Sequence, residues 1–224
     1  MRLRADFQPR KSCLRFLAVS QGATVPRANR YILPDHIYHV THRCHDHQFL
    51  LRFARDRNEY RARFRQSSIA HDIAVLTYCI TSNHMHMLVG ACAKIQLSGM
   101  MQQLEGECAR FFNRRKKRTG AFWEGRYHCT MVENDEYLWN CMVYIDLNMV
   151  RAGVVSHPRE WSWCGYQEIG LLRTRYRILH FPILGILMRD AGKASLKDYY
   201  EECISRGLHG DSPYRDEAWS MSTE

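Results

Sequence analysis

The spacing of apolar positions divides the chain into alternating strand-like and helix-like segments. Alternating or continuous apolar residues in 37–42, 73–80 and 126–132 predict strands, and helical spacing in 55–70, 95–115 and 136–153 predicts helices. A turn at residues 81–83 joins the second strand to a further short strand, which makes a hairpin. The order β-α-β-β-α-β-α predicts an α+β fold, a ferredoxin-like split βαβ unit with an antiparallel sheet.

The short strand after this turn carries the first candidate functional residues. His84 and His86 are two positions apart, so they project from the same face of the strand, while Met85 points into the core. Two convergent imidazoles can hold a divalent metal ion. The chain contains 12 His, so a His-x-His triplet is weak evidence by itself.

The last predicted helix supplies a second chemical group. Tyr144 and Asn148 are four residues apart, which places them on one helix face, and Gly153 suits a C-terminal stop. A phenol can act as a nucleophile, and an amide oxygen can serve as a third metal ligand beside two imidazoles. Together with the histidine pair, this pattern is typical of a nuclease. In the alternative interpretation, Tyr144 is an aromatic residue at the edge of the core and Asn148 an ordinary polar residue.

In this order the segments resemble the single-tyrosine HUH transposases, and among them the REP-associated tyrosine transposases of bacteria. The resemblance covers residues 31 to about 166. It rests on six stretches: HVTH at 39–42, SNHMH at 82–86, FFNRR at 111–115, TGAFWEGRY at 119–127, YIDLNMVRAG at 144–153 and PREWSW at 158–163.

The sequence departs from the family pattern at one position and in one short segment. Met149 follows the helix asparagine where the family usually has proline. HRCHDH at 42–47 replaces a Gln-Arg-Gly-Asn-like turn after the first strand. Neither change touches the expected chemistry, but the second leaves open altered DNA contacts near the site.

The resemblance implies an enzyme that nicks and joins single-stranded DNA at hairpin repeats without ATP. In such a site His84, His86 and Asn148 would hold Mg²⁺ or Mn²⁺ beside the scissile phosphate. Tyr144 would attack to give a 5′-phosphotyrosine and a free 3′-OH. Tyr137, about 10 Å away along the helix axis, is the alternative nucleophile but is interpreted as packing. A homodimer, with Tyr144 acting on either subunit's metal site, remains open.

Composition agrees with a globular protein that binds an anionic partner. The hydrophobic fraction is 46%, the aromatic fraction is 12% and the formal net charge is +9. The strongest local run of positive charge closes the second predicted helix, where cations also suit the helix dipole, so it is either a DNA-binding segment or a solvated helix end. The predicted DNA contacts are Arg114, Arg115, Lys116, Lys117, Arg118 and Arg126.

Cysteine usage and hydropathy bear on the compartment. The nine cysteines include no Cys-x-x-Cys pair, which favours a reducing compartment and buried thiols. No apolar run reaches membrane-spanning length. We therefore expect a cytoplasmic, nucleoid-associated protein with no membrane partner.

Charge and pattern also suggest a division into three parts. Residues 1–30 form a basic N-terminal arm, 31–166 the catalytic domain and 167–224 a helical C-terminal appendage. The run Cys44, His45, Asp46 and His47 resembles a metal cluster by composition. Its members are consecutive and lack the spaced pairs of structural zinc sites, so a solvated loop is expected.

Two alternative functions remain open at this point. The first is a domesticated relative that binds DNA hairpins without transposition activity. The second is an RNA-associated metal-binding module that uses the basic arm. A covalent DNA adduct separates the first from the enzyme, and competition between DNA hairpins and matched RNA separates the second.

Overall fold

Four antiparallel strands form the sheet of the computed structural model, which describes residues 32–91, 94–132 and 135–210. The strands are β1 His36–Arg43, β2 Ala74–Ile80, β3 His84–Ala91 and β4 His128–Val132, in the spatial order β2-β3-β1-β4. Each neighbouring pair is antiparallel. The predicted α+β class and antiparallel sheet are confirmed. The basic arm at 1–30 lies outside the described residues.

The helices follow the predicted order. In the described parts of the chain they are α1 Ala54–Ala70, α2 Lys94–Lys116, α3 Asp135–Asp146, α4 Asn148–Arg151, α5 Tyr166–Ile169, α6 Phe181–Asp190 and α7 Leu196–Leu208. Up to α3, the order β1-α1-β2-β3-α2-β4-α3 is that of the split βαβ unit. None of these helices is long and apolar enough to cross a membrane.

Helices cover both faces of the sheet, and side-chain alternation along β2 shows which helix covers which face. Tyr78 points toward α1, where its ring meets the edge of Phe64 at a centroid distance of 5.7 Å. The preceding residue, Thr77, points to the opposite face, and its hydroxyl donates to Asp146 of α3 at 3.0 Å. One face of the sheet therefore packs against α1, and the opposite face packs against α3, the helix that carries Tyr144.

The single helix predicted over 136–153 is wrong in one respect, because the structure contains two helices there. The backbone turns out of α3 at Leu147, which has φ −82° and ψ 3°. At this break the Arg151 guanidinium donates a hydrogen bond to the Tyr144 carbonyl oxygen. The predicted stop at Gly153 is present: its φ is 67°, and its N–H bonds back to Val150 at 2.9 Å.

A buried polar contact ties α7 to α3. Asp146 Oδ2 accepts hydrogen bonds from Thr77 Oγ1 at 3.0 Å and from the Tyr200 hydroxyl at 2.5 Å. Burial raises the pKa of Asp146 to about 7. Gly165 packs so closely here that an added Cβ would lie 2.0 Å from Thr77 Oγ1. Helix α7 thus helps to hold α3, the helix that carries Tyr144. The division of the chain into domains at residue 166 stays a prediction.

Candidate active site at the β3–α3 interface

β3 presents both candidate metal-binding histidines to the face that α3 covers. His86 lies opposite Thr41 of β1, and His84 lies opposite Arg43. Burial lowers the pKa of His84 to about 4, with a further lowering from the Arg43 guanidinium, and burial lowers the pKa of His86 well below 6.5. Both imidazoles are therefore neutral at pH 7, which leaves each ring a nitrogen lone pair.

His39 is a site residue to which the sequence pattern gave no role. Its Nε2 lies 3.0 Å from His86 Nδ1, and the two rings stack with centroids 5.2 Å apart. Burial lowers the pKa of His39 to about 4, so this is a hydrogen bond between two neutral rings. The contact spans 47 sequence positions. The register between β1 and β3 brings these two residues together. Short sequence motifs do not reveal that register.

The turn before β3 orients the His84 ring. His84 Nδ1 lies 2.8 Å from Asn83 Oδ1 and 3.1 Å from Thr81 Oγ1. The Asn83 amide nitrogen donates to the His47 carbonyl at 3.2 Å, which leaves Oδ1 as the acceptor for His84. The His84 proton therefore belongs on Nδ1. His84 Nε2 is buried and has no hydrogen-bond partner within the described part of the chain.

Asn148, the first residue of α4, completes a polar cluster with the two histidines. Its Nδ2 lies 3.2 Å from His86 Nε2. With the amide in this orientation, His86 Nε2 accepts and His86 Nδ1 donates to His39. The Asn148 side chain is also close enough to His84 to oppose the lowering of its pKa. Two imidazole nitrogens with lone pairs therefore converge on one amide group.

Tyr144 lies beside this cluster, near the end of α3. Its ring meets those of His86 and His39 edge-on, at centroid distances of 6.1 Å and 6.3 Å. The Arg151 guanidinium lies 4.0 Å from the centroid of the Tyr144 ring. The four predicted site residues, His84, His86, Tyr144 and Asn148, are thus brought together. Tyr137, two turns earlier, is partly buried and packs against the hydrophobic core.

The predicted DNA-binding segment divides into structural and exposed residues. Arg115 forms an ion pair with Asp56, whose side chain is 2% exposed, so it links α2 to α1. Arg118 donates to Asn113 Oδ1 at 3.1 Å. The remaining members, which are exposed to solvent, are Arg114, Lys116, Lys117 and Arg126. These four exposed side chains do not take part in the Arg115–Asp56 ion pair that links α2 to α1.

The run at 44–47 does not converge on a common centre. Cys44 is buried, whereas His45 Nε2 faces Asp46 at 3.3 Å and His47 Nε2 faces Glu124 at 3.4 Å. Among the described residues there is no group of three His, Cys, Asp or Glu side chains able to hold a metal ion. The histidine pair at β3 supplies two such side chains.

Comparison with known proteins agrees with this arrangement. The family model described as "Transposase IS200 like" matches residues 33–148, a range that contains all four clustered residues. The chain belongs to the IS200-like transposase family. This membership confirms the resemblance to tyrosine transposases.

Two individual proteins are similar to this transposase. A protein of Haemophilus influenzae named "Putative REP-associated tyrosine transposase" is 27% identical over 124 residues, which cover 50% of this chain and 69% of the relative. A solved structure of a REP-associated tyrosine transposase bound to a REP hairpin aligns with a TM-score of 0.52 at 16% identity, covering 69% of this chain and 90% of that one. At that identity the second similarity establishes a shared fold.

The hydrogen-bond pattern predicts one tautomer for both histidines. In the metal-free protein at pH 7, ¹⁵N NMR should show His84 and His86 protonated at Nδ1 and unprotonated at Nε2, because each Nδ1 faces an acceptor. His128, which is exposed, provides an internal reference for a ring in contact with solvent. A proton on Nε2 of either buried ring would contradict the arrangement and reverse the assigned orientation of the Asn148 amide.

Proposed function

We propose that this transposase is a metal-dependent endonuclease and strand transferase that cuts and joins single-stranded DNA at hairpin repeats. The observation that carries the proposal is the convergence of His84, His86 and Asn148 beside Tyr144. The hairpin bound to the solved REP-associated transposase supports a DNA hairpin as the substrate class. The formal charge of +9 independently favours an anionic partner, of which nucleic acid is the usual one.

The donor set fits a divalent metal ion, and the family resemblance implies Mg²⁺ or Mn²⁺. His84 Nε2 is a buried nitrogen that no well-formed hydrogen bond satisfies in the described residues, although the Asn148 side chain lies close to the ring. Such an arrangement is costly unless something binds the nitrogen. In the described part of the chain, His86 Nε2 meets the side-chain amide of Asn148, which can present its oxygen instead after a flip. His39 accepts the Nδ1 proton of His86, as the partners of metal-binding histidines commonly do. When bound, the ion supplies positive charge opposite the phosphate on which negative charge develops.

The residues of this chain then account for strand transfer. The Tyr144 phenol gives its proton to water and its oxygen attacks phosphorus. The bond from phosphorus to the 3′ oxygen breaks, and that oxygen takes a proton from water to leave as a free 3′-OH. The product is a 5′-phosphotyrosine, which conserves the phosphodiester energy. Attack by a second 3′-OH on this link releases Tyr144 and joins the strands. Arg151, stacked on the Tyr144 ring, holds that ring at the break between α3 and α4.

Loss of the phenol oxygen should remove covalent chemistry selectively. Tyr144→Phe should abolish the covalent DNA adduct on denaturing gels and leave hairpin binding within about twofold, because the ring and its Arg151 contact remain. Tyr137→Phe is the matched control and should still form the adduct. An adduct that persists in Tyr144→Phe would identify another nucleophile.

Hairpin binding without an adduct in the wild type would indicate a domesticated binding protein, and competition by matched RNA would indicate an RNA partner.

The metal hypothesis makes graded predictions for the cluster. His84→Ala and His86→Ala should each eliminate Mn²⁺ binding in calorimetric titration and metal-dependent cleavage, whereas Asn148→Ala should weaken both less, because water can replace an amide oxygen. His39→Ala should weaken Mn²⁺ binding by about 10- to 100-fold, since it removes the acceptor that orients His86. His209→Ala, at an exposed position, should change neither quantity. Cleavage that continues unchanged in a chelator would refute the metal role of the whole cluster.

The exposed half of the basic segment should contact DNA phosphates. Replacing Arg114, Lys116 and Lys117 with Gln should lower the slope of log affinity against log salt by about 0.7 per lost contact with a single strand, or about 0.9 with duplex. Arg115 is left in place because its removal would leave Asp56 buried without its cation. The control replaces three exposed cations elsewhere, Arg175, Arg189 and Lys197. Equal slopes for the two triple variants would mean that the basic segment only solvates a helix end.

A further inference from the structure

The connection between β1 and α1 displays two large aromatic side chains to solvent. Phe49 is 65% exposed and Phe53 is 57% exposed, so neither contributes much to the core. Both are near the start of α1, which has Phe53 as its N-terminal cap residue. An exposed phenylalanine has no polar group with which to contact water. Two of them in one short connection are available for a ligand that presents flat, apolar surface.

Cations lie beside the Phe53 ring. Lys116 Nζ of α2 lies 5.1 Å from the centroid of the Phe53 ring, and the Arg52 guanidinium lies 5.8 Å from it. Arg55 is exposed on the first turn of α1. Three carboxylates in this part of the chain already face partners: Asp56 pairs with Arg115, Asp46 faces His45 and Glu124 faces His47. The surface that combines Phe49, Phe53, Arg52, Arg55 and Lys116, here called the aromatic–basic surface, therefore suits an anionic ligand with planar groups.

The connection is fixed to the turn that leads into the candidate metal-binding strand. The Leu51 N–H donates to the Ser82 carbonyl at 2.8 Å, and the Asn83 amide donates to the His47 carbonyl at 3.2 Å. At the start of the same connection, Arg43 lies directly opposite His84 in the sheet. A strand of DNA with its scissile phosphate at the histidine cluster would meet the β1–α1 connection within a few nucleotides.

We propose that the aromatic–basic surface is a subsite for unpaired nucleobases that flank the scissile phosphate, with Phe49 and Phe53 stacking on bases and the cations contacting the phosphates between them. The proposal rests on the proposed function, because it requires a single-stranded DNA substrate. Base stacking on aromatic side chains within a positively charged surface is a general mode of single-strand binding, and it tolerates different sequences because every base has a π-face. The cations beside the Phe53 ring and on the first turn of α1 favour nucleic acid over an apolar protein segment as the occupant.

Binding to two oligomers tests the subsite without cleavage. The full-length protein, in chelator, is titrated with a single-stranded oligothymidylate and with an oligomer of the same length that has abasic sugars. Phe49→Ala and Phe53→Ala should each weaken oligothymidylate binding by about 5- to 100-fold and leave binding to the abasic oligomer unchanged. Phe49→Trp and Phe53→Trp should retain oligothymidylate binding. Tyr176→Ala, at a position that is 74% exposed, is the matched control and should behave as the wild type.

Two outcomes would overturn the subsite. Unchanged oligothymidylate binding in both alanine variants would show that the rings contact no base, and the surface would then serve a different occupant. Equal losses on both oligomers would show that the rings act through the fold or the phosphates. The covalent-adduct assay on the wild type reports separately on the proposed function. An active transposase with unchanged alanine variants refutes the subsite alone, and base-dependent losses without any adduct refute the enzymatic proposal alone.

Discussion

A hydrogen bond between two neutral buried imidazoles, His39 Nε2 and His86 Nδ1, determines the geometry of the candidate site. It links β1 to β3 on the face beneath α3 and directs the other nitrogen of His86 toward Asn148. Burial lowers the pKa of both rings, so the bond is not replaced by repulsion between two imidazolium ions at neutral pH. The contacts of His84 Nδ1 with Asn83 and Thr81 likewise fix the orientation of the His84 ring.

The helix that carries Tyr144 must then be held against this face, and one of the two hydrogen bonds that hold it comes from outside the matched family range. Asp146, between Tyr144 and Asn148, accepts from Thr77 of β2 and from Tyr200 of α7. The sheet, the tyrosine helix and the C-terminal helix therefore meet at one carboxyl group. A residue of α7 supports the position of Tyr144 without touching the site.

Side-chain periodicity was sufficient to predict the strands and the long helices, because their apolar positions recur at strand-like or helix-like spacing. It also predicted that His84 and His86 share a face, and that Tyr144 and Asn148 are one turn apart. The break at Leu147 was hidden, because Met149 stands where the family usually has proline. Proline in the first turn of α4 would have marked a new helix start. His39 and Tyr200 were hidden for another reason: their partners are 47 and 54 positions away, and only three-dimensional packing connects them.

The most direct test of the central claim is the position of a bound ion. Crystals of the full-length protein grown with Mn²⁺ should show one anomalous scattering peak between Nε2 of His84 and Nε2 of His86, with the Asn148 amide oxygen turned toward it. His39 should keep its hydrogen bond to His86 Nδ1 in that structure. A peak bound through other side chains, or an empty histidine cluster at saturating Mn²⁺, would contradict the account.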